Sequence, residues 1–113
     1  IHKAHRQNPE SMPAEAVYRM ATYQGAAAAG FPNTGRIRVG HEADLITIKL
    51  DTPTPINSRN VYDQLVLFRN PQDVSEVMVH GRLLKAEGKL LTLDEAAVKQ
   101  ELREAAAQFW QMR

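Results

Sequence analysis

Polar and apolar residues alternate twice in the middle of the chain. Ile37 and Val39 interleave with Arg36 and Arg38, and Ile46, Ile48 and Leu50 interleave with Thr47 and Lys49. A period of two is that of a half-buried strand. Gly40 breaks the pattern, and a turn through His41, Glu42 and Ala43 leads to Asp44. Glycine there tolerates positive φ, and an aspartate carboxylate can fix a turn by accepting backbone N–H groups. Two strands around a corner are therefore expected between Gly35 and Asp51. A third strand is expected over Val74 to Val79, with Val77 and Val79 on one face. His80-Gly81 then reads as a two-residue hairpin turn, Arg82 to Lys85 as the returning strand, and Glu87-Gly88-Lys89 as a further turn.

Elsewhere the period lengthens to three and four, which is helical. Ile1 to Gln7 is polar and helix-compatible, and Asn8-Pro9 ends it. A helix beginning at Ser11 or Met12 carries Pro13 in its first turn and an apolar face of Val17, Met20 and Ala21. Thr22 is placed to cap a short helix from Tyr23 to Ala29, with Gly30 ending it. The alanines of that helix, Ala26 to Ala29, would let it lie close to a neighbour. Phe31 to Thr34 reads as a loop, and Thr52-Pro53-Thr54-Pro55 as an extended linker. Ser58 is a possible cap for a helix through Val61, Leu65 and Phe68. Strand is the alternative, because Leu65-Val66-Leu67-Phe68 is too short an apolar run for periodicity to assign. Thr92 with Glu95 forms a capping box, with Leu91 and Ala96 as its staple. The last helix runs from Leu93 to the end. Its stripe of Val98, Leu102, Ala105, Phe109 and Met112 is expected to be buried, and Glu95 and Lys99 form an i,i+4 pair.

The chain has 113 residues, 14 basic and 13 acidic, for a formal charge of +1. That is enough for one domain and one modest core. Charges of both signs are scattered, which argues against a nucleic-acid footprint. No cysteine is present, so neither a disulfide framework nor a thiolate metal site arises. No apolar run approaches a membrane span and no signal peptide is visible, so a cytoplasmic location and no membrane partner are expected. The chain opens at Ile1 rather than methionine, which suggests a fragment.

Candidate chemistry is sparse. His2 and His5 share a helical face and could begin a metal site, but no third ligand lies near them and solvent exposure is the stronger reading. His41 beside Glu42 reads as a surface histidine, and His80 as a turn residue with a backbone role. Asp44 is the most tempting carboxylate, and its place beside Gly40 favours fixing a turn over acid–base work. Phe109 and Trp110 read as core or interface anchors. No Ser-His-Asp set, phosphate loop or paired carboxylates stand out. No catalytic, cofactor-binding or metal-ligating residue is assigned.

The stretch Gly35-x-Ile37-x-x-Gly40-x-x-Ala43-Asp44-Leu45-Ile46 resembles the signature at the end of the barrel in the amidohydrolase superfamily. Arg19-Met20-Ala21-Thr22 with Gly25-Ala26 resembles the helix pair before it. Val77 to Arg82 with Gly88 resembles the terminal hairpin, and Leu91 to Glu95 the start of the closing helix. The blocks come in the family's order over nearly the whole chain. The Met20-Ala21-Thr22 and Leu91-to-Asp94 blocks look closest to the branch of deaminases and chlorohydrolases acting on adenine, cytosine and triazine rings. Ala29 stands where a leucine is common there, and His80 where an asparagine is common.

The resemblance implies an α+β fold: helices from the end of a TIM-type barrel (1–34), a partial, mostly antiparallel β-sandwich (35–91) and a closing helix (92–113). It also implies a parent protein several times longer, which hydrolyses a non-peptide C–N bond with a divalent metal, zinc or iron. The family's His-x-His pair and other metal ligands would all lie upstream of Ile1, and no His-x-His occurs here. The chain alone is then expected to be inactive, its partners being the rest of the parent and a second copy at an exposed sheet edge. A face of Ile46, Ile48, Val77 and Val79 would be buried there. A stand-alone binding or self-association module is the other reading. A His-x-His about three hundred residues earlier in the same gene would separate the two.

Overall fold

The computed structural model describes residues 12–111. The expectations for Ile1 to Gln7, His2, His5 and Met112 fall outside that range. The order of elements is α1 (Ala14–Ala21), α2 (Tyr23–Ala28), β1 (Leu45–Ile48), α3 (Val61–Leu67), a 3₁₀ turn (Pro71–Asp73), β2 (Val74–Val79), β3 (Arg82–Ala86), β4 (Lys89–Leu90) and α4 (Glu95–Gln111). The class is α+β.

Pro13 precedes α1 as its cap residue, and its carbonyl accepts from the Ala16 and Val17 N–H groups at 3.0 and 3.2 Å. Thr22 holds the N-cap position of α2, its carbonyl accepting from the Ala26 N–H at 3.0 Å, but its hydroxyl makes no cap bond there. That hydroxyl donates back to the Tyr18 carbonyl at 2.8 Å, closing the end of α1 instead. The close approach expected of the alanine run occurs at Gly25, where a Cβ would lie 2.4 Å from the Met20 carbonyl oxygen. Ala27, Ala28 and Ala29 are exposed. Gly30, at φ +88°, ends α2 in a Schellman arrangement: Phe31 N–H donates to the Ala26 carbonyl and Gly30 N–H to that of Ala27.

The ambiguous run at Leu65 resolves as helix. The cap residue of α3 is Asn60 rather than Ser58. Its side chain accepts from the Asn57 N–H at 2.9 Å and donates to the Pro55 carbonyl at 2.8 Å, which braces the turn leading into the helix. After α3, Asn70 and Asp73 form a reciprocal capping box around Pro71. The tilted ring contact between Tyr18 and Tyr62, with centroids 5.0 Å apart, joins α1 to α3.

The four strands form one antiparallel sheet in the order β1-β2-β3-β4. Leu45 faces Met78 and Ile46 faces Val77, so the apolar sets of β1 and β2 lie in register. The Thr47 hydroxyl donates to the Glu76 carboxylate at 2.8 Å across the same pair of strands. His80 at φ 51° and Gly81 at φ 75° make the two-residue turn between β2 and β3, which needs positive φ at both positions. Two parts of the expected sandwich do not form. Only one sheet is present among the described residues, and Arg36 to Val39 lies outside any strand. The alternation there is that of a strand, but no chain lies beside it to complete a ladder. Ile37 remains 89% exposed and Val39 wholly so.

At α4 the cap is Asp94, not Thr92. Its carboxylate accepts from the Ala97 N–H at 3.1 Å, and the helix begins at Glu95 instead of Leu93. The Glu95–Lys99 pair forms at 2.6 Å. The apolar stripe is not buried, because every described residue of the helix is exposed. Across the described residues only Ala14 and Gln64 are buried, and no large side chain is fully enclosed. The elements are well formed locally, yet they do not close around a core.

Candidate functional site

The polar centre of the molecule is the corner between the loop before β1 and the β2–β3 turn. Asp44 sits immediately before β1. One carboxylate oxygen accepts from the Thr34 hydroxyl at 2.7 Å, and the other accepts from the His80 backbone N–H at 2.8 Å. Next to it, Gly81 N–H donates to the Ala43 carbonyl at 3.1 Å and Glu42 N–H to the Asn33 carbonyl at 2.8 Å. The Glu42 carboxylate meets Nδ1 of the His80 ring. These bonds tie residues 33–44 to a turn more than thirty positions later, and they hold His80 at the positive φ that its side chain disfavours.

The Thr34 hydroxyl and then the His80 N–H hold the Asp44 carboxyl below the usual carboxylate range, with the His80 ring a smaller influence and desolvation opposing. A carboxyl whose folded pKa is depressed stabilises the fold above its unfolded value of about 3.9. That contribution disappears as pH falls through the folded value. Asp44→Asn is therefore expected to lower the melting temperature at pH 7, with the gap from the unsubstituted chain constant down to about pH 5 and shrinking below it. Melts between about pH 7 and about pH 3 check it. Glu95, lowered by Lys99, titrates in the same sense, so Glu95→Gln is expected to show the same narrowing at low pH.

Both lone-pair faces of Asp44 are thus engaged by donors. Its carboxylate is an anchor in a fold corner rather than a free base. His41 is half-buried instead of lying on the surface, and its Nδ1 is shielded from solvent with no hydrogen bond among the described residues. Nothing in the sequence pattern distinguished it from His80. Phe109 packs edge-on against Trp110 with ring centroids 5.5 Å apart, and both are exposed.

Among the described residues no group of three His, Cys, Asp or Glu side chains converges closely enough to ligate a metal ion. The donor set does not fit such a group, and no residue here is assigned to one. Nor is any described helix long and apolar enough to cross a membrane.

The second feature is an apolar groove of about 400 Å³ between the helices and the sheet. Tyr18, Ile37, Leu45, Ile46, Ile48 and Leu65 are among the residues that line it. β1 is an edge strand, and its Leu45, Ile46 and Ile48 line this groove. Gly35 also lines the groove. A Cβ on it would lie 2.5 Å from Tyr23 Cα and 2.8 Å from the Thr22 carbonyl carbon. The Arg36 guanidinium stacks over the Tyr23 ring at 3.7 Å. The loop is thereby clamped on α2, while Ile37 and Val39 just beyond the clamp are exposed.

The chain matches the model of the amidohydrolase family over residues 1–84. It is 37% identical over 95 residues to a 5-methylthioadenosine/S-adenosylhomocysteine deaminase of Caldicellulosiruptor saccharolyticus, an alignment covering 84% of this chain and 22% of that protein. It is 34% identical over 108 residues to a 5'-deoxyadenosine deaminase of Methanosphaera stadtmanae, covering 96% of this chain and 25% of that one. Among solved structures, an adenosine deaminase from Xanthomonas campestris with bound zinc superposes with a TM-score of 0.85 at 27% identity, over 96% of this chain and 25% of that one. A triazine hydrolase variant shares the fold with a TM-score of 0.74 at 24% identity. The chain thus spans about a quarter of the length of these proteins.

Proposed function

The chain belongs to the amidohydrolase family, and from that we propose that it is the C-terminal structural portion of a larger deaminase. The parent would remove an amino group by hydrolysis from the adenine-type ring of a nucleoside. One observation carries this reading: relatives named as adenosine-type deaminases align along 84–96% of this chain, yet the chain accounts for only 22–25% of their length. The exposed apolar surface supports it, since a protein that folded to completion alone would bury more than Ala14 and Gln64.

On this reading α1 and α2 are the last helices of a barrel. The sheet is part of an accessory β-layer, and the chain contributes scaffolding rather than reacting groups. Asp44 fixes the corner that joins the two. The rest of the parent would cover the groove and the β1 edge, where Ile37, Val39 and Ile46 stand open.

Ammonia release separates the possibilities. With 5-methylthioadenosine, S-adenosylhomocysteine and adenosine each offered as substrate, the isolated chain is expected to give no release above buffer. The full polypeptide encoded by the same gene is expected to turn over at least one of them. Turnover by the isolated chain, or none by the full polypeptide on any of the three, counts against the reading.

A further inference from the structure

We draw no further inference here: the strongest candidate, the apolar groove lined by residues of α1, α3 and the edge strand β1, is an unpartnered face, and nothing in the structure shows what covers it beyond the rest of the parent already proposed.

Discussion

Replacing Gly35 with alanine is expected to cost about 3 kcal/mol, from a positive-φ penalty of about 1–2 and overpacking of about 1–3. Gly35 sits at φ +84° with the backbone of Thr22 and Tyr23 within 2.8 Å of where the new methyl would stand. Neither obstacle can move aside, because both belong to the junction between α1 and α2. In a chain that buries so little, this is enough to release the loop from the helices and leave Asp44 without its Thr34 partner. Gly40 gives the contrast. It has the same φ of +84° but open space around it, so Gly40→Ala carries only the conformational part, about 1 kcal/mol. Parallel thermal melts of the two variants check the difference. Equal losses would show that the approach of Gly35 to α2 does not limit stability.

The second large effect depends on context. In the isolated chain, replacing Ile37 and Val39 together with lysine is expected to change stability by no more than about 0.5 kcal/mol, since both side chains already face solvent. In the longer polypeptide the same pair is expected to cost about 3 kcal/mol or more, at roughly 1.5–3 for each apolar side chain that would otherwise be buried. Denaturant midpoints of the two polypeptides, each with and without the substitutions, give the comparison. A small effect in both would mean that nothing covers this surface.

Ile37 and Val39 also show where reading the sequence stops. Alternation predicts a half-buried strand there, and among the described residues Ile37 and Val39 lie in no strand and stand exposed. It says nothing about which strand completes the ladder, and none of the described residues supplies one. β2, the His80-Gly81 turn and β3 were legible because local chemistry settles them: a β-branched run, then two residues able to take positive φ. β1 was legible because its partner lies within the chain.

The caps were harder. Ser58 and Thr92 have the right side chains, but Asn60 and Asp94 occupy the positions where the helices begin. One or two residues decide which side chain reaches an N–H, and hydrophobic spacing does not resolve that. The stripe on α4 is read correctly as a stripe and wrongly as buried. Periodicity predicts that a face seeks cover, and it leaves open whether the cover is part of the same chain. Asp44 was legible as a turn residue from Gly40 beside it. That it reaches Thr34 and His80 at once was not, because those contacts join segments 10 and 36 positions away.

The central proposal is that this chain is one end of a larger hydrolase. The mass of the native polypeptide that carries it tests that most directly. An antibody raised against the β2–β3 hairpin, applied to an extract of the cells that produce the protein, should detect a single species. Its mass should be roughly four times the 12.7 kDa of this chain, as the 22–25% share of the relatives' length requires. A sole band at the mass of the chain itself would contradict the account.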